Sequence, residues 1–545
     1  MNCIFQNNIK EAFASFPFKF LIYPYKSTMN KNYLKSSFLL SFSVLGLAVS
    51  AQNNFQQNKQ AIYNEIINEV ENNSQLEQLA FELLDEIGPR LVGSPEMQQA
   101  HNWVVDTYKK WNISAENVAY GEWKSWQRGT TQIEMTHPRI KSIDGMQLAW
   151  NANTKKAIEA EVVVMPLFES KAEFETWTNS VKGKIVLISQ YQKSGRPENQ
   201  WKEHATEEDF TSFKNEKSDD LSAWNNSIKA TGKTTREIVE FLETKGAAGF
   251  IQSYYTGTMG SNRIFYSFSK NTPMVDVSLE DYGLLHRLAV NGKAPKLKIN
   301  TQSKNLGTSK TFNTIATIPG KTKPNEYVML SAHLDSWDGA QGATDNGTGT
   351  ILMMEVARLI QKYAPNNDRT IVIGHWGSEE QGLNGSRAYI MDNPTEVQKI
   401  KVLFNQDSGT GRINYIGGQG FTQAYNYLGT WLQNVPENNR KHIKTDYPGM
   451  PQGGGTDNAS FVAAGVPAFN LGTQNWDYGQ YTWHTNRDTY DKIVFEELER
   501  NVITTTILTL EAANAPNEIS NEKRVLPTTT EWPTVKEPKR NSKDY

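Results

Sequence analysis

The spacing of apolar residues changes twice along the chain. Between residues 60 and 112 apolar side chains recur every three or four positions, which predicts helices interrupted by a loop at 87–95. Between residues 139 and 305 they fall into short runs, for example 161–165 and 184–189, which predict strands separated by polar stretches.

The C-terminal half alternates strand-like and helix-like segments. This alternation predicts an α/β fold class, with a mixed, mainly parallel sheet flanked by helices. The predicted strands are 327–332, 370–376, 402–406 and 466–471, and the predicted helices are 350–363 and 495–513.

These patterns divide the 545-residue chain into several segments, because such a length exceeds one ordinary core. Inside the second region, residues 194–227 are so polar that a surface excursion is expected. The predicted segments are an upstream extension with a signal peptide at 1–51, the first part of the α/β domain at 52–138, an inserted β-rich domain at 139–305, the second part of the α/β domain at 306–515, and a disordered tail at 516–545.

The N-terminal segment has the pattern of a signal peptide. Positive charge at 29–35 precedes an apolar run at 38–48 that ends in small residues, so we expect translation to start at Met29 and the mature protein to be periplasmic or secreted. The run is shorter than the roughly 20 residues that span a bilayer, so no integral membrane segment is expected in the mature chain. The single cysteine, Cys3, precedes the signal, which leaves the mature chain without disulfides or thiolate ligands.

Charge is nearly balanced, with 56 Lys and Arg against 59 Asp and Glu. The sequence therefore has no basic excess of the kind that binds phosphate backbones, and nucleic acid is not an expected partner.

Imidazole and carboxylate side chains follow the predicted strands of the C-terminal half. His333 and Asp335 come after the first strand, Glu379 and Glu380 after the second, and Asp407 after the third. Because ligands of an open α/β sheet bind outside the carboxyl ends of its strands, these side chains are expected to converge.

Two further residues can reach the same crevice from loops. Asp345 lies in a glycine-rich loop before the predicted helix 350–363, and His484 follows the last predicted strand. Mixed imidazole and carboxylate ligands suit Zn²⁺ better than Ca²⁺ or Mg²⁺. Two zinc ions with one bridging carboxylate need about five ligands, and the inventory here is His333, Asp345, Glu380, Asp407 and His484.

The adjacent pair Glu379–Glu380 fits a hydrolase, since one carboxylate can hold a metal while the other takes a proton from water. We assign Glu380 to the metal and Glu379 to the general base. Asp335 is expected to orient the imidazole of His333.

These segments resemble a known family. The motifs resemble those of the cocatalytic zinc peptidases that include aminopeptidase Y, glutamate carboxypeptidase and carboxypeptidase Q, and resemble the last most closely. The segments that carry the resemblance are His333–Asp338, Ala343–Gly347, Ser378–Ser386, Gln406–Thr410 and Trp483–Thr485.

The resemblance implies roles for individual residues. His333 and Asp407 would hold one zinc ion, Glu380 and His484 the other, with Asp345 bridging both and Glu379 as the base. The bond between Asp345 and Asn346 would be a cis peptide.

It also implies an activity and an architecture. The α/β domain would be catalytic, 139–305 would be a protease-associated domain, and Asp457 and Ser460 would lie in a loop that lines the substrate pocket. The activity would be exopeptidase cleavage of dipeptides or short peptides, and a homodimer is compatible with the likeness.

Each candidate ligand alone has an ordinary structural explanation, such as a surface histidine, a turn or a helix cap. The joint pattern favours the metal site, because these residues stand in order at successive strand ends. Two alternatives remain: a receptor-like protein on the same fold that has no activity, and a zinc aminoacyl cyclase or amidohydrolase.

Overall fold

One continuous sheet organises the fold. The computed structural model describes residues 58–544, and from Ile62 onward these belong to one compact unit, the other unit being Met1–Ala61. The 14 strands are β1 Ser114–His137, β2 Lys141–Ser142, β3 Gly145–Gln147, β4 Ile158–Val164, β5 Ile185–Leu187, β6 Gly249–Gln252, β7 Met274–Val277, β8 Lys296–Ile318, β9 Lys323–His333, β10 Arg369–Trp376, β11 Ile400–Asn405, β12 Ile413–Gly417, β13 Lys444–Asp446 and β14 Ala468–Thr473.

Helices cover both halves of this sheet. The first described helix, α1, occupies residues 58–73. The others are α2 Leu76–Ala80, α3 Pro95–Lys110, α4 Lys171–Trp177, α5 Glu198–His204, α6 Glu207–Ala230, α7 Thr235–Thr244, α8 Leu279–Val290, α9 Thr348–Tyr363, α10 Asn384–Asp392, α11 Pro394–Lys399, α12 Ala424–Leu432, α13 Glu437–Arg440, α14 Asn458–Ala463 and α15 Phe495–Ala513.

The sheet has two parallel blocks joined by antiparallel strands. Its order is β13-β12-β14-β11-β9-β10-β8-β4-β5-β6-β7-β3, with β1 beside β8 and β2 beside β1. Strands β14, β11, β9 and β10 are parallel, as are β4 to β7, while β8 is antiparallel to β10, β4 and β1. The mixed, mainly parallel sheet flanked by helices agrees with the fold class predicted from the sequence.

The strands and helices predicted in the C-terminal half are present, with shifted ends. The predicted strand 370–376 is β10, Arg369–Trp376, and the predicted helix 350–363 is α9, Thr348–Tyr363. All eight residues of β10 are buried, as expected for a strand covered on both faces.

The two predicted boundaries of the inserted domain fall within or beside the longest strands, β1 and β8. The boundary at 305/306 lies inside β8, which pairs with β1 through most of its length and with β4 and β10 at its two ends. The segment 139–305 nevertheless has its own apolar packing, in two clusters around Val277 and Phe250. An inserted domain with this extent remains our interpretation.

The polar stretch at 194–227 is helical, which its composition did not predict. It forms α5 and most of α6, and in these two helices Ser227 is the one buried residue. Residues 194–227 therefore lie at the surface, as expected, but they form helices.

The segment predicted to be a disordered tail lies against the body of the protein. Trp532 packs on Phe421 with ring centroids 5.7 Å apart, and the backbone N–H of Lys539 donates to Asn384 at 2.8 Å. Arg540 forms an ion pair with Asp392 at 2.7 Å. Disorder was predicted from the low apolar content of this segment. That prediction was wrong because composition does not reveal the tryptophan contact or these polar partners.

The predicted signal peptide lies outside the described residues. Among residues 58–544, no helix is long and apolar enough to cross a lipid bilayer.

Two buried histidines make the fold sensitive to acid. His375 on β10 is hydrogen-bonded to the Tyr108 hydroxyl at 2.8 Å. Burial lowers the pKa of His375 and that of His101 to about 3 each. An unfolded histidine has a pKa near 6.5, so below that pH the unfolded chain binds protons that the folded chain does not. Stability is therefore unaffected by these groups above pH 6.5 and falls as the pH drops from 6.5 toward 3.

A His375→Gln substitution should reduce this acid sensitivity. We expect the free energy of unfolding of the metal-free variant to fall with pH less steeply than that of the wild type, by about 1.4 kcal/mol per pH unit between pH 6 and 4. Urea denaturation of both proteins at several pH values measures the two slopes. Equal slopes would show that His375 is protonated in the folded state.

Candidate active site

The ends of β9 and β11 bring His333 and Asp407 together. His333 is the last residue of β9, and Asp407 follows β11, the neighbouring parallel strand. The Nε2 atom of His333 lies 3.3 Å from Oδ1 of Asp407 and 3.4 Å from Oδ1 of Asp345. These three side chains form the first of two groups whose ligand atoms lie within 4.8 Å of one another.

Asp345 also belongs to the second group. Its other carboxylate oxygen, Oδ2, is 3.2 Å from Nε2 of His484, which in turn lies 2.8 Å from Oε2 of Glu380. All five predicted ligands are therefore brought together. The Oδ1 and Oδ2 atoms of Asp345 face different imidazoles, so its carboxylate stands between the two groups.

The loop that presents Asp345 is held by a residue that sequence reasoning did not single out. The buried carboxylate of Asp488 accepts hydrogen bonds from the backbone N–H groups of Thr344 at 2.7 Å and Asp345 at 3.0 Å. The Asp345–Asn346 peptide is cis, as the family resemblance implied. Because Asp488 is 143 residues from Asp345, only the folded chain reveals this contact.

Asp335 contacts the imidazole that it was predicted to orient and, in addition, the glutamate pair. The Nδ1 atom of His333 lies 2.9 Å from the backbone carbonyl of Asp335, whereas its distance to the Asp335 carboxylate is 3.6 Å. That carboxylate instead accepts hydrogen bonds from the backbone N–H groups of Glu379 at 3.0 Å and Glu380 at 3.3 Å. The side chain of Asp335 thus positions the glutamate pair, and its backbone orients the imidazole.

A buried arginine links the loops that carry these residues. Arg90 is fully buried and donates to the carbonyls of Leu334 at 2.7 Å and Gly342 at 2.8 Å. The loop that contains Leu334 follows His333, and the loop that contains Gly342 precedes Asp345. The sequence predicted a loop at 87–95 but gave no sign of where this guanidinium would bind.

Burial and mutual charge perturb the titration of the site. Burial raises the pKa of Glu379 well above its usual value, and raises that of Glu380 to about 7. Burial alone would lower the pKa of His484, but Glu380 and Asp345 outweigh it and raise this pKa to about 10. In the metal-free protein the imidazoles therefore carry the positive charge that compensates the clustered carboxylates.

Asp457 and Ser460 lie at the start of α14. Both are buried, and the Ser460 hydroxyl is 3.0 Å from that of Ser386 on α10. Burial raises the pKa of Asp457 to about 7, and its negative charge contributes to the raised pKa of Glu379. That these residues line the substrate pocket stays a prediction.

The segment 139–305 reaches the site through one short loop. The backbone N–H of Ile264 donates to the carbonyl of His484 at 2.9 Å, and Asn486 N–H donates to Asn262 at 3.0 Å. The Phe265 ring meets the His484 imidazole edge to face at 5.3 Å. A ligand candidate from the α/β domain is therefore held by residues of the inserted segment.

A cavity of about 770 Å³ opens beside Glu380 and His484. We call it the aromatic cavity, because most of its large side chains are aromatic: Trp224, Tyr254, Phe265, Phe268, Trp337 and Trp483. A neighbouring cavity of about 820 Å³ shares Gln190, Gln192, Leu221 and Tyr255 with it but touches none of the five ligand candidates. The aromatic cavity is thus the one in contact with the site.

Comparison with protein families identifies the domain that bears these residues. Residues 313–507 match the model of peptidase family M28. This segment is a peptidase family M28 domain. It contains every ligand candidate as well as Glu379, Asp335, Asp457 and Ser460. The chain is accordingly a metallopeptidase, in agreement with the prediction from the sequence.

Curated relatives extend the likeness beyond the M28 domain. Carboxypeptidase Q of Pongo abelii is 26% identical over 76% of this chain and 80% of its own length. The mouse protein, from Mus musculus, is 25% identical over 80% of this chain and 85% of its own. A glutamate carboxypeptidase 2 homolog of Caenorhabditis briggsae is 31% identical, but over only 34% of this chain and 27% of its own length.

Solved structures share the fold. A peptidase M28 precursor from Shewanella amazonensis superposes with a TM-score of 0.63 at 22% identity, covering 87% of this chain and 99% of its own. A zinc aminopeptidase from Bacillus subtilis gives a TM-score of 0.54 at 19% identity, covering 82% of this chain and 97% of its own. The fold over most of this chain therefore occurs in proteins of known structure.

Proposed function

We propose that the protein is a periplasmic or secreted zinc exopeptidase that cleaves dipeptides or short peptides at a dinuclear site. One observation carries the proposal: Asp345 places one carboxylate oxygen 3.4 Å from His333 and the other 3.2 Å from His484, so that two ligand groups share a single residue. This is the arrangement expected of a bridging ligand between two divalent cations.

The donor set suits zinc. Tetrahedral zinc with bonds of about 2.0–2.2 Å separates its ligand atoms by roughly 3.3–3.6 Å, and the first group has separations of 3.3 and 3.4 Å. Buried oxygens of Asp345 and Glu380 have no hydrogen-bond partner, which leaves them available to a cation. His333 and Asp407 would hold one ion, Glu380 and His484 the other, and Asp345 both.

Glu379 is proposed as the general base. When bound, zinc would lower the pKa of water and polarise the peptide carbonyl. The carboxylate of Glu379 takes the proton from the attacking water and returns it to the leaving amine. Its backbone N–H donates to the Asp335 carboxylate at 3.0 Å, which positions Glu379 next to the ligand candidate Glu380.

The two alternatives differ in what they require of the site. A receptor-like protein without activity has no need of paired ligand groups, and it would have no need of a spare glutamate beside them. A zinc aminoacyl cyclase or amidohydrolase would use the same ligands on an N-terminal glutaminyl substrate.

The activity test combines metal analysis with a substrate panel. We expect close to two zinc ions per chain by elemental analysis, and hydrolysis of unblocked dipeptides that a chelator abolishes and added zinc restores. N-acetylated and C-amidated dipeptides show which terminus is required, and a glutaminyl peptide tests the cyclase alternative. Zinc-loaded protein that leaves the whole peptide panel intact would contradict the proposal.

A further inference from the structure

Most of the wall of the aromatic cavity comes from outside the M28 domain. All but four of its lining residues belong to the segment 139–305, and those four are Trp337, Glu380, Trp483 and His484. The inserted segment therefore supplies the surface that a substrate side chain would contact, while the M28 domain supplies the reacting groups.

The wall is fixed directly to the site. The Phe265 ring packs edge to face against Trp337, with centroids 5.1 Å apart, and against the His484 imidazole at 5.3 Å. The backbone hydrogen bond from Ile264 to His484, at 2.9 Å, joins this wall to the ligand group. A substrate residue bound at Glu380 and His484 thus has its side chain next to these rings.

The cavity offers mainly aromatic and uncharged polar contacts, and its lining contains no lysine or arginine. Of the described residues that line it, only Glu380 and His484 are charged near neutral pH. Two arginines lie nearby but outside the lining: Arg263 stacks on Tyr254 and Trp483, at 5.7 and 4.8 Å, and Arg236 stacks on Tyr266 at 5.1 Å. A side-chain carboxylate placed among these rings would lose hydration without an ion pair to a lysine or arginine of the lining.

We propose that the aromatic cavity is the subsite for a large apolar or aromatic side chain of the peptide substrate, and that it discriminates against acidic side chains. This inference rests on the proposed function. The volume of the aromatic cavity, about 770 Å³, lies within the range of small-ligand pockets, and its aromatic lining is typical of such pockets. Burying a phenyl group instead of a methyl group there should favour the substrate by roughly 10- to 100-fold in kcat/KM.

The test uses two series of dipeptides, X-Ala and Ala-X, with Ala, Phe and Glu at X. We expect one series to show Phe favoured over Ala by about 10- to 100-fold and Glu disfavoured relative to Phe. The hydroxamates of phenylalanine, alanine and glutamate provide a second readout, because their binding to the zinc-loaded protein can be measured by calorimetry without turnover. Phenylalanine hydroxamate should bind most tightly.

Two variants locate the preference. Tyr254→Ala removes part of the wall and should lower the Phe-to-Ala ratio about 10-fold, whereas Gln192→Arg adds a cation and should raise the Glu-to-Phe ratio about 10-fold. Tyr425→Ala is the matched control, since Tyr425 is 66% exposed and does not line the cavity.

The outcomes separate this inference from the proposed function. Equal binding of the three hydroxamates, or side-chain ratios unchanged in both variants, would overturn the subsite. Tight binding of the phenylalanine compound without hydrolysis of any peptide would uphold the subsite and contradict the exopeptidase.

Discussion

Glu379→Ala will slow peptide hydrolysis by about 10²- to 10⁴-fold while leaving the zinc content unchanged. Glu379 belongs to neither ligand group, yet it adjoins Glu380 and its carboxyl is buried beside Asp407 and Asp457. Its removal takes away a proton acceptor without removing a metal ligand. The measurement is kcat on the best dipeptide together with zinc per chain by elemental analysis.

Two controls test this assignment. Glu396→Ala removes a glutamate that pairs with Lys399 on α11, at 2.8 Å and away from the site, and should retain wild-type turnover. Glu379→Asp keeps the carboxylate but shortens the side chain, so its activity should lie between those of the wild type and Glu379→Ala. Near-normal turnover in Glu379→Ala would assign the base to another group.

The sequence was sufficient to predict the strand ends that assemble the site. The predicted strands within β9, β10 and β11 are mainly apolar, and His, Asp and Glu residues stand at or just after their carboxyl ends. Parallel strands place their carboxyl ends at one edge, so sequence order is enough to expect convergence. That reasoning located His333, Glu380 and Asp407 without any knowledge of distances.

The long ribbon of β1 and β8 could not be predicted in the same way. The two ends of β8 alternate buried and more exposed positions, but residues 302–310 between them include no buried residue, so no apolar alternation continues through the middle of this strand. The two strands are held by cross-strand hydrogen bonds between residues far apart in sequence. This explains why the boundary that we drew at 305/306 falls inside a strand.

The residues that support the site were also beyond sequence reasoning. The hydrogen bonds of Asp335, Asp488 and Arg90 span 44, 143 and 244 residues, so neither spacing nor residue type identifies the partner. The aromatic cavity could not be predicted either, because Tyr254, Phe265 and Phe268 occur in a segment with no regular apolar pattern. Only folding places them beside His484.

Asp345→Ala will remove both metal ions. This variant tests most directly whether the Asp345 carboxylate is shared by the two ligand groups. Each oxygen of Asp345 faces a different imidazole, so the substitution takes one ligand from each group at once. We expect less than one zinc per chain after dialysis, and hydrolysis at least about 10²-fold slower.

Asp407→Ala provides the comparison that separates a bridging ligand from an ordinary one. Asp407 lies 3.3 Å from His333 and belongs to the first group alone, whereas Glu380 and His484 form the second group with Asp345. Its loss should therefore leave close to one zinc per chain, held by the second group, so the two variants should differ in metal content. If Asp345→Ala also retained one ion, Asp345 would serve a single metal, and if it retained two, the carboxylate would be no ligand at all.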